Sequence, residues 1–259
     1  MTVVRMIPPA ALALGLLLGL PAGSALGAGA TATDLQRAAV YTQQGSRALA
    51  SGDLESARSA FSKALGLAES FPDAHLGLGH VAMKQGRYEE ALREYSLARD
   101  GFRDLGETLH DLRDQRYKTA QQEIAALRIA LRNFQSSGSS QSGDSTAGPR
   151  QVFEYEDEIH KLEAIEPPET GTTGEPPGEV HFYIGNAQFR LGRLDDALAS
   201  WETCAGKSPA FAYVRVNLAV LYWKRGRFED ARQSLSRAEE LGFPVDPQMK
   251  ADLERAARR

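Results

Sequence analysis

The string GRLDDA, from Gly192 to Ala197, has a close copy further along the chain in GRFEDA, from Gly226 to Ala231. Earlier in the chain, GDLESA from Gly52 to Ala57 is followed at the same spacing by GRYEEA from Gly86 to Ala91. A fixed step of about 34 residues is typical of a small helical unit that stacks on copies of itself. The four strings therefore predict a fold built from repeats.

Fixed positions around each string carry one kind of side chain. Seven residues before each glycine the residue is small: Gly45, Gly79, Gly185 and Ala219. Nine residues after each glycine it is bulky and apolar: Phe61, Tyr95, Trp201 and Leu235. Three residues further on stand Ala64, Ala98, Cys204 and Ala238. This spacing predicts two helices per unit that approach closely at the small residue.

The glycine of each string has its own role, because glycine can end a helix in the left-handed conformation. The alanine of each string (Ala57, Ala91, Ala197 and Ala231) is predicted to pack where the two helices cross. The bulky residue is predicted to fill the gap to the neighbouring unit. We expect Gly52, Gly86, Gly192 and Gly226 to form the turns between helices.

The pattern resembles the tetratricopeptide repeat, a helix-turn-helix unit of about 34 residues. The resemblance covers about residues 38–103 and 178–243, roughly half of the chain. It implies an all-α solenoid in which the first helices of the repeats line a concave groove. It also implies that the protein binds other proteins or peptides in that groove and catalyses no reaction.

The two pairs of repeats are separated by a long insert. From Gly86 to Gly192 the step is three periods plus four residues, so the pairs are out of phase. An interrupted apolar stripe predicts one long helix from Leu105 to Phe134, for which a coiled coil is an alternative. Two linkers follow, Ser/Gly-rich over 136–149 and proline-rich over 166–178, around a helical acidic segment over 151–165.

These features predict four domains: a leader at 1–30, pair one with the long helix at 31–135, the flexible acidic insert at 136–179, and pair two at 180–259. The last includes a final helix with Asp246 as N-cap and Pro247 in its first turn. Isolated repeat pairs are marginally stable, since about three repeats are usually needed. That favours docking of the pairs over two independent modules.

The first thirty residues indicate export. Arg5 is the only charge before Asp34, Ala10 to Leu20 is strongly apolar, and small residues follow Pro21. This order is typical of a secretory signal peptide, with cleavage after Ala25, Gly27 or Ala30. The apolar run is about eleven residues, whereas a membrane-spanning helix needs roughly twenty. We expect a periplasmic or secreted protein with no membrane span after cleavage; an uncleaved membrane tether is the alternative.

Composition and motifs argue against several function classes. The net charge of -4 disfavours nucleic-acid binding. The single cysteine, Cys204, allows no intrachain disulfide and no thiolate zinc site. It shares its slot with three alanines, which predicts a small packing residue. The five histidines show no metal-ligand spacing, and no catalytic motif is present. We expect no cofactor, and the acidic insert lacks the pattern of a calcium loop.

The phase of the repeats predicts which side chains face the groove. For pair two the candidate peptide-binding residues are Phe182, Asn186, Phe189, Arg190, Tyr213, Val216, Asn217, Val220 and Lys224. In repeat two the side chains predicted to face the groove are Leu76, His80, Met83 and Lys84. The groove face of repeat one carries only uncharged, non-aromatic side chains, Thr42, Ser46 and Leu49. By the resemblance, Asn186 and Asn217 match asparagines that hold a ligand's backbone. Phe182 stands where a chaperone-tail clamp has a lysine, so that ligand is disfavoured.

The sequence therefore predicts a non-catalytic adaptor or scaffold in an extracytoplasmic compartment, with a protein or peptide as partner. Two alternatives stay open. One is a structural homo-oligomer of the cell envelope, held by the long helix or by end-to-end stacking. The other is an accessory subunit of an envelope enzyme or assembly machinery.

Overall fold

The computed structural model describes residues 25–26, 30–137, 147–167 and 175–257. The predicted signal peptide lies almost wholly outside these residues, as do most of both predicted linkers. The described residues form ten helices: α1 (Ala32–Ser51), α2 (Leu54–Leu67), α3 (Pro72–Lys84), α4 (Tyr88–Ser137), α5 (Ala147–Glu163), α6 (Gly178–Arg190), α7 (Leu194–Lys207), α8 (Ala212–Lys224), α9 (Phe228–Glu240) and α10 (Pro247–Ala257). Two short strands, β1 (Ala25–Leu26) and β2 (Ala30–Thr31), pair antiparallel before α1. The predicted all-α repeat fold is confirmed.

The turn inside each repeat has one geometry. Gly52, Gly86, Gly192 and Gly226 all adopt a positive φ, between 71° and 85°. The residue after each glycine donates its backbone N–H to the carbonyl five residues earlier, and the nitrogen–oxygen distance is 2.9 Å in all four repeats. A left-handed glycine is what lets the chain turn back and satisfy these helix-terminal carbonyls. The second helix of each repeat then begins within two residues of the glycine.

The two helices of a repeat touch where the small residue meets the bulky one. A Cβ added at Gly45 would lie 2.7 Å from the Phe61 ring, and one at Gly185 would lie 2.5 Å from the Trp201 ring. At Gly79 the corresponding distance to Tyr95 is 2.4 Å. A fourth ring contact, between Phe61 and Gly77 of repeat two, joins repeats one and two. A larger residue at these glycines would push the helices apart.

Both ends of the repeat array are capped. At the start of α1, Asp34 N–H donates to the Thr31 hydroxyl, and the Thr31 N–H donates to the Asp34 carboxylate. This reciprocal pair satisfies two free donors of the helix end. At the other end, Asp246 accepts a hydrogen bond from Gln248 N–H at 2.8 Å, and α10 packs on α9. The predicted final helix is therefore present, with Asp246 and Pro247 in the expected places.

One prediction about the insert needs correction. The long helix does not begin at Leu105; it is the second helix of repeat two, which continues without a break from Tyr88 to Ser137. The second helices of repeats one and three stop after 14 residues, whereas this one runs for 50. The helix after it starts at Ala147, inside the predicted Ser/Gly-rich linker.

The described chain divides into two compact units. One contains both repeat pairs, up to Leu105 and from Glu175 onward; the other, the arm, spans Gly106–Gly174. In the first unit, Tyr183 of repeat three contacts Tyr95 and His80 of repeat two. The pairs are thus docked. They are also in phase, contrary to the sequence-based expectation, because the step from Gly86 to Gly192 is one repeat period plus an insertion that covers Gly106–Pro177.

Candidate functional site

Two asparagines from neighbouring first helices meet in pair two. Asn217 Nδ2 on α8 donates to Asn186 Oδ1 on α6 over 3.1 Å. Asn186 is 9% exposed and Asn217 is half-buried. The bond uses one donor of Asn217 and one acceptor of Asn186, so each amide keeps further hydrogen-bonding groups. The structure therefore brings together the two residues that the sequence nominated for holding a ligand's backbone.

The other candidate residues of α8 lie on either side of this amide pair. Val216 and Val220 are half-buried, and Lys224 at the end of the helix is exposed. Within the described residues Lys224 makes no ion pair. Tyr213, at the start of α8, is half-buried and touches the Phe243 ring, with centroids 5.0 Å apart. A cation and an aromatic ring thus lie at opposite ends of the helix, with an amide between them.

Two candidate residues of α6 have protein partners. The Arg190 guanidinium lies over the Tyr88 ring, 4.7 Å from its centroid, and donates to the Tyr88 hydroxyl. Phe189 is half-buried against Trp201, with centroids 5.6 Å apart. Phe189 therefore packs the two helices of repeat three together, and Arg190 joins repeat three to repeat two.

Phe182 requires a correction. Its ring is only 1% exposed and packs edge-to-face on Phe211 and Tyr183. It lies in the core, so it offers no surface to a ligand in this structure. An aromatic residue is tolerated at that position because Tyr183 beside it and Phe211 before α8 supply rings to pack against.

Repeat two also differs from the expectation. Leu76 and His80 are buried, at 1% and 0% exposed, so neither is an open groove side chain. His80 Nδ1 and the Tyr95 hydroxyl are 2.7 Å apart, and the Tyr183 ring centroid lies 4.5 Å from that of His80. The contact between His80 and Tyr183 could not be predicted from the sequence, because the repeat period did not bring the two pairs into phase.

The contact follows the same rule as the asparagine pair. His80 and Asn186 both stand six residues before their turn glycines, whereas Tyr183 and Asn217 both stand nine residues before theirs. The residue six places before the glycine of one repeat thus contacts the residue nine places before the glycine of the next repeat. Repeat three therefore stacks on repeat two as repeat four stacks on repeat three.

A row of three aromatic rings borders the site. Phe211, Tyr213 and Phe243 are all half-buried and contact one another in sequence, with centroids 5.7 Å and 5.0 Å apart. They lie at the starts and connections of the helices, beside the N-terminal end of α8. The exposed parts of these rings offer apolar surface next to the asparagine pair.

A second concavity, of about 600 Å³, lies between α7, α8 and α9. Leu218, Arg215 and Tyr222 of α8 contribute to it, with acidic and basic side chains from the other two helices. Tyr222 donates to Glu202 over 2.7 Å; burial and that carboxylate raise the pKa of Tyr222 to about 12. Acidic and basic groups both line the concavity, so it favours neither an anion nor a cation.

Catalytic chemistry has little support in the described residues. Cys204 is buried, and burial raises the pKa of its thiol to about 12, so the reactive thiolate is scarce at neutral pH. Within the described ranges, no group of three or more His, Cys, Asp or Glu side chains could hold a metal ion. Among the same residues, none of the helices is long and apolar enough to span a membrane.

Comparisons with known proteins agree with this architecture. A family model described as tetratricopeptide repeat matches residues 48–124, and a second one with the same description matches residues 183–242. No curated protein matches the sequence.

Several solved structures are similar to this chain. One is a thermophilic TPR protein of Thermus thermophilus, with 21% identity over 86% of this chain and 100% of that chain, and a TM-score of 0.36. PilW, a type IV pilus biogenesis factor, has 13% identity over 86% and 90%, with a TM-score of 0.38. PilF of Pseudomonas aeruginosa has 16% identity over 87% and 89%, with a TM-score of 0.36.

Proposed function

The chain belongs to the tetratricopeptide-repeat family, whose members bind protein or peptide partners, and we propose that it is a non-catalytic adaptor that acts outside the cytoplasm. Its ligand is an extended peptide segment of a partner protein. The segment lies on α6 and α8 of pair two, across the Asn186–Asn217 amide pair. The observation that supports this most directly is the 3.1 Å bond between the two amides.

The amide pair suits an extended backbone. A peptide in that conformation presents both N–H and C=O groups that its own chain leaves unpaired. The spare donors and acceptors of the two asparagines can bind such groups without selecting a side chain. Their mutual hydrogen bond holds both amides in place before a ligand arrives, which lowers the entropy lost on binding.

The ends of α8 add selectivity. From Tyr213 to Lys224 the helix is about 16 Å long, at about 1.5 Å per residue. An extended segment of about five residues covers that length. Lys224 would attract an acidic side chain or a terminal carboxylate, whereas Tyr213 and Phe243 would pack against an apolar side chain. The favoured ligand is therefore apolar at one end and acidic at the other.

The proposed location rests on the first thirty residues. Their charged start, apolar middle and small-residue end have the organisation of a signal peptide. In an oxidising compartment a free thiol is at risk, and the only cysteine, Cys204, is buried. Burial therefore protects the thiol in the place where export would deliver the protein.

Binding can be tested with the purified protein lacking residues 1–30. The protein is crosslinked in an envelope extract, and captured partners are identified by mass spectrometry. The contacting segment is then synthesised as a peptide, and its Kd is measured by calorimetry. We expect Asn186→Ala and Asn217→Ala each to weaken binding by about tenfold, the equivalent of one lost hydrogen bond.

Two controls make that result specific. Asn133→Ala removes an exposed asparagine of the arm and should leave the Kd unchanged. Lys224→Glu should weaken an acidic peptide more than a neutral analogue of it. If both groove variants bind as tightly as the natural protein, the peptide does not lie across α6 and α8.

Location is tested separately. Residues 1–30 are fused to a reporter enzyme that is active only outside the cytoplasm, and the N-terminus of the full chain is determined by mass spectrometry. Reporter activity together with cleavage after Ala25, Gly27 or Ala30 is expected. An inactive reporter would contradict the export proposal but leave the groove proposal standing.

A further inference from the structure

His80, Tyr95 and Tyr183 form a buried cluster where repeat three docks on repeat two, here called the joint cluster. Tyr95 lies on α4, His80 on α3 and Tyr183 on α6. The three rings contact one another pairwise, with centroids 4.5 to 5.6 Å apart. His80 and Tyr95 are 0% and 1% exposed. A further ring contact across the same joint, Arg190 over Tyr88, is exposed.

The backbone does not hold this joint as it holds the others. Repeat three passes to repeat four through the four residues between α7 and α8. Between repeats two and three the chain leaves at Leu105 and returns at Gly178. A short connection keeps two elements at high effective concentration, whereas a long detour does so far less. The docked state at this joint therefore depends on side-chain contacts.

The cluster accepts His80 only as a neutral ring. With the proton on Nε2, Nδ1 accepts a hydrogen bond from the Tyr95 hydroxyl at 2.7 Å. Burial raises the pKa of Tyr95 well above its ordinary value, so the hydroxyl keeps its proton. Nε2 is buried and has no hydrogen-bond partner within the described residues. A second proton would therefore place an unpaired positive charge in the core of the joint.

The charged groups around the cluster do not relieve this cost. Lys84, one turn along α3, repels an added proton, while α4 and α6 contribute the uncharged Tyr95 and Tyr183. Burial, and then Glu179 of α6, raise the pKa of Tyr183, so this hydroxyl keeps its proton. The two tyrosine faces would attract an imidazolium, but desolvation of a fully buried charge is the larger effect. Burial first and Lys84 second lower the pKa of His80 to about 3.

We propose that mild acid opens this joint: protonation of His80 releases pair two from pair one while each pair keeps its own helices. This regulation rests on the proposed function: α6, which opening of the joint would release, carries Asn186, and Asn186 is part of the proposed groove. In an exported protein the surrounding pH is not buffered by the cell. The joint would thus make the exposure of α6, one wall of the groove, depend on external acidity.

The direction and size of the effect follow from proton linkage. In the open joint His80 is exposed and has its ordinary pKa of 6.5, whereas in the closed joint the pKa of His80 is about 3. Between these values the open state binds one more proton than the closed state, so acid favours opening. At about pH 4.5 the ratio of open to closed molecules should be roughly 100-fold higher than at about pH 8.

The test measures the distance between the pairs in the unliganded protein, so its outcome does not depend on groove binding. Ser51→Cys in pair one and Gln233→Cys in pair two carry a donor and an acceptor dye, in a Cys204→Ala background that has the alanine of the other repeats. Energy transfer and far-ultraviolet circular dichroism are recorded from pH 8 to pH 4. We expect transfer to fall below pH 6.5 while helicity stays constant.

His80→Gln is the decisive variant, because its amide can still accept the Tyr95 hydrogen bond but takes up no proton. Its transfer should stay constant with pH, whereas the matched control His160→Gln, an exposed histidine of the arm, should behave as the natural protein. Constant transfer in the natural protein, an equal fall in His80→Gln, or loss of helicity together with transfer would each overturn the proposal.

If His80→Gln does not fold, an NMR titration of the natural protein gives the same answer. The His80 ring should remain neutral in the closed state and gain its proton only as energy transfer is lost. A His80 ring that titrates near pH 6.5 with transfer unchanged would overturn the proposal.

Discussion

The junction between repeats two and three and the junction between repeats three and four use the same two positions with opposite results. At the first, His80 meets Tyr183 in a closed aromatic core. At the second, Asn186 meets Asn217 through a partly accessible hydrogen bond. The helices stack in the same way at both junctions. The side chains alone therefore decide whether a junction is a closed core or a surface that a ligand can reach. Rings that exclude water hold repeats together, and amides leave donors and acceptors for a ligand.

A second pair of equivalent residues sharpens the contrast. His75 of repeat two and His181 of repeat three occupy the same position. His75 contacts Glu94 Oε2 at 2.8 Å and the Glu69 carbonyl at 3.0 Å. The residue that matches Glu94 in repeat three is Ser200. Without that carboxylate, burial and then Lys207 and Arg99 lower the pKa of His181. Repeat two thus buries a histidine against a carboxylate, whereas the matching histidine of repeat three is half-buried and lacks that partner.

The largest effect is expected from Tyr95→Ala, which removes the central ring of the joint. Loss of a fully buried ring should lower the free energy of unfolding by about 4 kcal/mol. Urea unfolding followed by circular dichroism measures this loss. The control Tyr117→Ala, half-buried on the arm, should change it by less than about 1 kcal/mol. Equal losses in the two variants would mean that the joint adds nothing special to stability.

Glu94→Ser, which makes repeat two resemble repeat three, is expected to cost about 2 kcal/mol at neutral pH, because it leaves the buried His75 ring without one of its two hydrogen-bond partners. The pKa of Glu94 is raised by burial, but hydrogen bonds and charges from His75 and Arg93 outweigh burial and lower it overall. Its stabilisation is therefore present above the ordinary value of 4.5 and is lost as pH falls through the lowered one.

The measurement for this variant is urea unfolding at two pH values. The difference between the natural protein and Glu94→Ser should be smaller at pH 3.5 than at pH 7. Arg93→Ala, which removes only the exposed partner of Glu94, should cost less than about 1 kcal/mol. A difference that does not depend on pH would show that Glu94 acts through packing alone.

Deletion of Gly106–Pro177 restores the normal repeat period from Gly86 to the next turn glycine and should leave a folded four-repeat array. Leu105 would then precede α6 as Phe71 precedes α3 and Phe211 precedes α8. Shortening the connection should raise stability by up to about 2 kcal/mol, from the lower loop-closure entropy. Circular dichroism and urea unfolding test this, with a deletion four residues longer as the out-of-phase control. An unfolded product of the in-phase deletion would contradict the in-phase stacking.

The smallest effect is expected at the amide pair. Asn217→Ala should cost about 1 kcal/mol, the usual net value of one hydrogen bond. Asn186→Ala should cost a similar amount, and the double variant should cost less than the two together, because both remove the same bond. Thermal unfolding of the three variants measures the coupling. Strictly additive losses would mean that the two side chains do not bond in solution.

Much of the repeat unit could be predicted from its sequence. Positive-φ glycines, small-to-bulky contacts and the capped final helix are local features, set by residues within a single repeat or next to it. The asparagine pair was also within reach, since periodicity places both residues on first helices. The joint cluster could not be predicted. The step from Gly86 to Gly192 can be divided into three periods plus four residues or into one period plus a long insertion, and the sequence alone does not show that the second division is the right one.

The sequence by itself therefore determined the repeat, its turns and the asparagine pair of the groove, because short-range sterics and helical periodicity decide those. Only the tertiary structure decided that the pairs dock, that Phe182, Leu76 and His80 are buried, and that α4 runs on past Leu105. Burial depends on which surface comes to cover a residue. In this chain repeat two is covered by repeat three, whose first helix begins at Gly178, after the whole insertion. The repeat period alone would not place a helix there.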